Sequence, residues 1–298
     1  MQNTKPKIIT IVGPTASGKS ALAIEIAKNI GGEIISADSR QVYKELNILS
    51  GKVTKKETAG IPHHLLSVCS VKKVFSVAQY KQLAQDAIQS VLRKNKVPIL
   101  CGGTGFYLQA IIDNILLPEV EANQTLRAKL QKKSAAQLFS LLKKKDPVRA
   151  KNIDGENKIR LTRALEIVHV LGKVPAIQSN PQYNALQIGI RIDPEKLRAN
   201  ITKRLVSRMK SGMLAEIKKM YSQGIRFKRL KELGLECRYL TLFLEKKMSK
   251  KEMLSKLEIE IFQYAKRQMT WFKKDKRIEW YALSEKKKLH ETIKNFLS

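Results

Sequence analysis

Cysteine is scarce in this sequence: Cys69, Cys101 and Cys237 are the only three among 298 residues. They lie far apart and form neither a CxxC pair nor a Cys/His metal spacing, which argues against a zinc module or a disulfide framework. Cys101 ends the apolar run VPILC and is predicted to be a buried residue of a strand. The adjacent pair His63–His64 also lacks a metal partner and is interpreted as structural or as part of a loop.

Long apolar runs are missing as well. No stretch approaches the roughly 18 uninterrupted apolar residues that a membrane span requires. The chain before the first glycine-rich loop also leaves no room for a cleavable signal peptide. We therefore expect a cytoplasmic protein that does not bind a membrane. Its 43% hydrophobic and 28% charged residues are ordinary for a globular protein with a substantial core.

Acidic residues are few compared with basic ones. The sequence has 26 Asp plus Glu against 57 Lys plus Arg, a formal net charge of +31. Residues up to Asp113 carry a net +8, and the remaining 185 residues carry a net +23. Such a field attracts polyanions, which favours nucleic acid or an anionic membrane as a partner, and we favour nucleic acid. Lysine outnumbers arginine 42 to 15, so a general inflation of lysine remains an alternative explanation.

Short β-branched strands alternate with helical segments along much of the chain. KIITIVG, EIISAD, VPILCGGTG, ALQIGIRID and IEWYAL are the strand candidates, and helical patterns separate most of them. This alternation predicts an α/β fold with a parallel sheet flanked by helices. Residues 125–174 have a helical and basic pattern, and we predict that residues 117–185 form an all-helical insertion domain. Residues 1–116 and 186–298 would then form the α/β core domain, with a largely helical C-terminal part.

The stretch GPTASGKS matches a P-loop, with a predicted strand before it and a predicted helix after it. In such a loop, backbone amides surround phosphate oxygens at a helix N-terminus. The predicted ligands of a polyphosphate are Gly13, Pro14, Thr15, Ala16, Ser17, Gly18, Lys19 and Ser20. Lys19 would neutralise the terminal phosphate, and the Ser20 hydroxyl would bind Mg²⁺. The second acidic metal ligand of many NTPases is missing, because VPILC ends in Cys101.

Asp38 follows the second predicted strand, at the carboxyl edge where open α/β sheets bind ligands. Its position alone leaves three roles open. The carboxylate is suited to act as a general base, to bind Mg²⁺ or a ribose hydroxyl, or to cap the N-terminus of a helix.

Six motifs together resemble the tRNA dimethylallyltransferase family, also called tRNA isopentenyltransferases. In order they are GPTASGKS, SADSRQVYKELNI, GIPHHLL, GGTGFYLQA, RLTRALEI and AKRQMTWF, and the similarity extends from Ile8 to about Phe272. The resemblance implies transfer of a dimethylallyl group from dimethylallyl diphosphate to the N6 amine of an adenosine. That adenosine lies immediately 3′ of the anticodon in tRNAs that read codons beginning with U. The diphosphate leaves as a whole, so a second acidic metal ligand is not expected.

The resemblance also implies roles for individual residues. Asp38 would be the base, and Lys19 and Thr104 the other catalytic residues. The implied contacts to the tRNA anticodon stem-loop are Asp38, Ser39, Arg40, Gln41, Thr104, Arg127, Ile159, Arg160, Leu161, Thr162, Arg163, Lys266 and Arg267. We expect the enzyme to act as a monomer.

Two positions depart from the family pattern. Ile159 stands where relatives usually carry a polar residue, and Asn200 stands where an arginine is common. If that arginine holds the diphosphate, Arg198 or Arg204 has to take its place.

Other interpretations remain open from the residues alone. A P-loop kinase of a small molecule or nucleotide accounts for the loop but not for the basic charge. A basic RNA-binding protein with a vestigial P-loop accounts for the charge but not for Lys19, Ser20 and Asp38. Taken alone, RLTRALEI is a basic amphipathic helix, and YAKRQMTWF is a helix with a buried Trp271.

Overall fold

A computed structural model describes residues 5–298. Six parallel strands form its central sheet. The strands are β1 (Lys7–Val12), β2 (Glu33–Ser36), β3 (His63–His64), β4 (Pro98–Gly102), β5 (Asn184–Arg191) and β6 (Ile278–Ala282). Their order across the sheet is β3-β2-β4-β1-β5-β6, and every neighbouring pair is parallel. The predicted α/β fold with a parallel sheet is confirmed.

Helices cover both faces of this sheet. The helices of the described residues are α1 (Lys19–Ile30), α2 (Val77–Leu92), α3 (Gly105–Ile112), α4 (Gln124–Gln131), α5 (Ala135–Lys145), α6 (Pro147–Lys151), α7 (Lys158–Leu171), α8 (Pro194–Lys210), α9 (Met213–Ser222), α10 (Phe227–Glu232), α11 (Leu235–Leu244), α12 (Lys250–Phe272) and α13 (Lys286–Leu297). Successive side chains of a strand point to opposite faces. Ile9 and Ile11 of β1 therefore pack with α1 and α13, while Ile8 and Val12 pack with α2 and α3.

A third apolar cluster joins α8, α9, α11 and α12 to the irregular segment 42–49. The sequence predicts one continuous helical stretch over residues 194–223, but the structure has two helices there. They are interrupted at Ser211 and Gly212, where Gly212 has a φ of +100° that side-chain-bearing residues rarely adopt. The cluster fixes α8 and α12, the two helices that contact the P-loop.

The chain forms two compact units. Among the described residues, one comprises 5–114 together with Pro181–Ser298, and the other comprises Ile115–Asn180. The regular elements of the second unit, α4 to α7, are all helices with an apolar core of their own. Between residues 5 and 298, no helix combines the length and the apolar character that crossing a membrane would need.

The first residue of β2, Glu33, is a buried carboxylate surrounded by one histidine and two lysines. His64 Nε2 lies 2.8 Å from its Oε2, and the ammonium groups of Lys94 and Lys96 each approach to 3.0 Å. Burial alone would raise the pKa of Glu33, but the hydrogen bonds from His64, Lys96 and Lys94 outweigh it and lower the pKa to about 2. His64 is therefore structural, as interpreted, although strand β3 itself was not predicted.

We expect Glu33→Gln to lower the free energy of unfolding by about 2 kcal/mol near neutral pH, because charge-assisted hydrogen bonds are lost. The native pKa of about 2 lies below the ordinary value of 4.5. The difference in free energy of unfolding between wild type and Glu33→Gln is therefore fully present above that ordinary value. It disappears as the pH falls through the native pKa. Urea titrations of both proteins near neutral pH and at acidic pH measure it. An advantage of equal size at both pH values would contradict its ionic origin.

Candidate active site

The P-loop, residues Gly13–Ser20, connects β1 to α1 at the carboxyl edge of the sheet. Gly18 caps the N-terminus of α1 with a φ of +89°, which explains the glycine at this position. The Ser17 hydroxyl is buried in the loop and has no hydrogen-bond partner within residues 5–298. A buried hydroxyl without a partner costs free energy. Ser17 therefore offers an unused donor inside the predicted phosphate cradle.

The ammonium group of Lys19 folds back onto the same loop. Its Nζ donates a hydrogen bond of 3.0 Å to the carbonyl oxygen of Pro14. Burial lowers the pKa of Lys19 below its ordinary value of 10.5, and the Asp38 carboxylate opposes that shift. Burying a cation is unfavourable unless an anion compensates it. The loop thus holds a positive charge that suits a bound phosphate.

Strand β4 runs beside β1 and ends in Cys101 and Gly102, without an acidic residue. Burial raises the pKa of the Cys101 thiol to about 11, while Lys19 and a hydrogen bond with the Ser20 hydroxyl oppose the shift. Cys101 is a core residue of a strand, as predicted. Within the described residues, no group of three or more His, Cys, Asp or Glu side chains forms a metal site.

Asp38 lies in a tight turn after β2. Its Oδ1 accepts hydrogen bonds from the backbone amides of Arg40, at 2.8 Å, and of Gln41, at 3.4 Å. The Thr104 hydroxyl accepts a 3.0 Å hydrogen bond from the amide of Ser39, so the turn is held from a second direction. These residues form turns rather than a helix, and Asp38 is not a helix N-cap. One side of the carboxylate is engaged by its own turn, which fixes its orientation.

The charge of Asp38 reaches several groups of the P-loop site. After burial, which dominates in each case, it is among the causes that shift the pKa values of Lys19, Arg204 and Cys101. It also contributes to the raised pKa of Tyr264, which burial brings to about 12. Strands β1 and β2 both pair with β4 in parallel, and the P-loop and Asp38 follow the carboxyl ends of β1 and β2. The loop and Asp38 therefore lie at the same edge of the sheet.

Helix α8 contributes two polar side chains to the P-loop. Arg204 lies between Thr15, whose Oγ1 is 3.4 Å from Nη1, and Gly51, whose carbonyl oxygen is 3.2 Å from Nη2. The side-chain amide of Asn200 donates a 3.1 Å hydrogen bond to the carbonyl oxygen of Ala16. Asn200 thus supports the loop backbone without adding charge, and Arg204 supplies a cation one helical turn later.

The other basic residues predicted near this site lie on exposed surfaces. The guanidinium of Arg198 stacks on the Phe262 ring at 4.5 Å, and the Lys266 ammonium lies 5.1 Å from the same ring. Arg267 approaches Glu260 to 3.9 Å. Of the two arginines expected to replace the one missing at position 200, Arg204 contacts the P-loop and Arg198 stacks on Phe262.

Gln268 of α12 is a site residue that the sequence reasoning missed. Its Oε1 accepts a 2.8 Å hydrogen bond from the amide of Thr15, and its Nε2 donates one of 2.8 Å to the carbonyl oxygen of Gly103. The residue is buried. A signal was present, because this amide stands at helical spacing between the apolar residues Ala265 and Phe272. A polar residue on the buried face of a helix requires a polar partner.

In the second unit, two of the predicted RNA contacts serve a buried carboxylate. Glu166 is buried and receives two hydrogen bonds from Arg127, at 2.7 and 2.9 Å. Arg163 lies 3.5 Å from the same carboxylate and donates to the carbonyl oxygen of Val120 at 2.8 Å. Both guanidinium groups are therefore already paired within this unit, a structural role that the sequence did not indicate.

The remaining predicted contacts of this unit belong to the first turns of α7. Ile159 is 84% exposed, and Arg160 beside it is exposed as well, whereas Thr162 is half-buried. Leu161 is fully buried in the core of the helical unit. Its predicted contact with RNA is wrong for the side chain, because the helical period turns this residue inward while its neighbours face outward.

Comparison with known proteins identifies the family. Residues 41–275 match the IPP transferase family, a span of more than half the chain. The chain belongs to the IPP transferase family. The resemblance drawn from the six motifs and the expected class of enzyme are both confirmed.

Relatives of this IPP transferase match it over nearly its whole length. The tRNA dimethylallyltransferase of Anoxybacillus flavithermus is 36% identical over 285 residues, covering 94% of this chain and 91% of that protein. The one from Shouchella clausii is 35% identical over 306 residues, covering 99% and 98%. The tRNA isopentenylpyrophosphate transferase of Bacillus halodurans aligns with a TM-score of 0.75 at 32% identity, over 98% and 97% of the two chains. A eukaryotic dimethylallyltransferase acting on tRNA aligns with a TM-score of 0.78 at 26% identity, over 93% and 74%.

Three motifs of this IPP transferase meet in the first unit. GPTASGKS forms the loop before α1, GGTG forms the turn between β4 and α3, and AKRQMTWF ends α12. The hydrogen bonds of Gln268 connect the first two of these segments. Motifs that are far apart in the sequence therefore build one site.

Proposed function

We propose that this IPP transferase moves a dimethylallyl group from dimethylallyl diphosphate to the N6 amine of a tRNA adenosine, releasing diphosphate. The adenosine is the one 3′ of the anticodon in tRNAs that read codons beginning with U. One observation carries the proposal: the loop that holds the Lys19 ammonium and the turn that fixes the Asp38 carboxylate follow two strands that both pair with β4, at the same edge of the sheet. Relatives named tRNA dimethylallyltransferases support it.

The P-loop would hold the diphosphate. Its oxygens would accept hydrogen bonds from the backbone amides at the N-terminus of α1 and from the Ser17 hydroxyl. Lys19 and Arg204 are the cations beside this position. They would stabilise the negative charge that grows on the diphosphate as the allylic C–O bond breaks.

The Ser20 residue fits a Mg²⁺ ion. Its hydroxyl is an oxygen donor near the start of α1, and Mg²⁺ takes few protein ligands when substrate phosphates supply the others. Bound there, the ion would add positive charge to the leaving diphosphate. Lys19 and Arg204 would remain the cations that the chain itself contributes.

Asp38 would accept the proton of the adenine amine. As the N6 nitrogen bonds to the allylic carbon, the C–O bond breaks, and one amine proton passes to the carboxylate. The turn with Arg40 and Gln41 holds the carboxylate in place. Thr104 would support the same base, because its hydroxyl fixes the amide of Ser39 next to Asp38.

The RNA would be bound through charge and through extrusion of the target base. Enzymes that modify a base usually take it out of the stack and bind it in a pocket. Ser39, Arg40 and Gln41 would line that pocket, and Lys266 and Arg267 would contact phosphates. The helical unit, residues 115–180, has 13 basic and 6 acidic residues, a net +7, and would contribute Ile159, Arg160 and Thr162. A tRNA substrate also makes the cytoplasm the expected compartment, and we retain the monomer as part of the proposal.

We expect the protein to transfer label from radiolabelled dimethylallyl diphosphate to an anticodon stem-loop RNA. Digestion to nucleosides should place the label on N6 of the adenosine that follows the anticodon. A matched RNA with guanosine at that position should stay unlabelled, because it lacks the N6 amine. A parallel reaction with γ-labelled ATP tests the kinase alternative. Label that passes from ATP to an acceptor, with no alkylated adenosine, would overturn the proposal.

A further inference from the structure

The side-chain amide of Gln268 accepts one hydrogen bond and donates another. Oε1 accepts from the Thr15 amide inside the P-loop, and Nε2 donates to the carbonyl oxygen of Gly103, both at 2.8 Å. Gln268 is only 6% exposed. It lies more than 160 residues away from both partners in sequence. Two oriented hydrogen bonds from one rigid amide fix the distance between the segments they join.

The segment that contains Gly103 leads on to the proposed base, Asp38. Gly103 is followed by Thr104, whose amide donates to the carbonyl oxygen of Ala37 at 3.1 Å and whose hydroxyl accepts from Ser39 at 3.0 Å. Asp38 stands between these two residues. Hydrogen bonds and the short chain segments between them therefore connect the P-loop, through Gln268 and the glycine turn, to the backbone on either side of Asp38.

The glycine turn has no space for a side chain at Gly103 while the Gln268 amide is in place. A Cβ atom on Gly103 would lie 2.1 Å from Nε2 of Gln268, so any side chain there displaces the amide. On the other side, Thr15 is also held by Arg204 through its hydroxyl. The contact thus combines a glycine at position 103, which has no side chain, with the glutamine amide at position 268.

We propose that Gln268 is a positioning residue that sets the distance between the diphosphate in the P-loop and the Asp38 base. This inference rests on the proposed function, since both groups act in the same displacement. Gln268 holds the loop at Thr15 and the base segment at Gly103. Alignment of reacting groups contributes strongly to rate, so loosening this connection should reduce turnover more than substrate affinity.

The test replaces Gln268 with methionine, which has nearly the same length but neither hydrogen-bonding group. We expect kcat for labelling of an anticodon stem-loop to fall about tenfold or more, with unchanged RNA affinity and a smaller change in KM for dimethylallyl diphosphate. Gly103→Ala should produce the same loss by displacing the amide. Adding Gly103→Ala to Gln268→Met should cause little further loss, because both act on one contact. Gln263→Met, at an exposed position of the same helix, is the matched control.

A second variant separates positioning from general stability. In Gln268→Glu, the carboxylate can accept from Thr15 but cannot donate to Gly103 until it is protonated. The ratio of variant to wild-type kcat, each expressed per folded molecule, should therefore rise as the pH falls.

Two results would overturn the inference. One is a Gln268→Met enzyme whose kcat per folded molecule equals that of wild type. The other is a loss in Gln268→Glu that does not depend on pH. If wild type itself transfers no dimethylallyl group, the proposed function fails instead, and that outcome is distinct because it is measured without any variant.

Discussion

Asp38→Asn should lower turnover in tRNA prenylation by about a hundredfold or more, as the loss of a general base does. Asparagine keeps a side-chain oxygen that can accept from the amides of Arg40 and Gln41, so the turn should survive. It cannot accept the amine proton. Single-turnover assays with labelled dimethylallyl diphosphate measure the effect, and fluorescence anisotropy should show nearly unchanged binding of an anticodon stem-loop.

Two further variants show whether the loss of turnover in Asp38→Asn is specific to the carboxylate of Asp38. Asp38→Ala removes both the base and the turn acceptor, and it should be at least as inactive as Asp38→Asn. Asp86→Asn removes a carboxylate from an exposed position of α2 and should leave turnover unchanged. Wild-type turnover in Asp38→Asn would eliminate Asp38 as the base and leave its turn as its only role.

The fold was largely predictable because its signals are local. The runs around Ile9, Ile35 and Leu100 are short and β-branched or aliphatic, and each became a strand of the parallel sheet. Strand β3 was missed because its two residues, His63 and His64, carry no apolar pattern and pair only through β2. Trp271 was expected to be buried but is 37% exposed, while the adjacent Phe272 is buried. Helical spacing does not decide between two neighbouring aromatic residues.

The site was predictable only where it is continuous in sequence. The P-loop is recognised from the spacing of its own residues, and the position of Asp38 follows from the strand before it. Gln268 and Arg204 reach the loop from 253 and 189 residues away, and no local pattern reports such contacts. In the second unit, Arg127 was assigned to RNA through the resemblance to the family. Its pairing with Glu166 depends on a tertiary contact across 39 residues.

Lys19→Met should lower kcat/KM for dimethylallyl diphosphate by about a hundredfold or more, as the loss of a group that stabilises developing charge does. The variant keeps the length of the side chain but removes the ammonium that lies in the P-loop. Both binding of the diphosphate and its departure should weaken, because its charge is present before the C–O bond breaks and grows afterwards. Steady-state assays over a range of dimethylallyl diphosphate concentrations, at saturating RNA, measure the loss.

The control for Lys19→Met is Lys28→Met, which removes the same charge from an exposed position in the last turn of the same helix. It should change diphosphate kinetics little, because its ammonium lies far from the loop along α1. RNA affinity distinguishes a local role from a contribution to the general basic field. If Lys19→Met weakened RNA binding alone and left diphosphate kinetics intact, Lys19 would belong to the RNA-binding charge. The P-loop would then need a different cation, and Arg204 is the one already in contact with it.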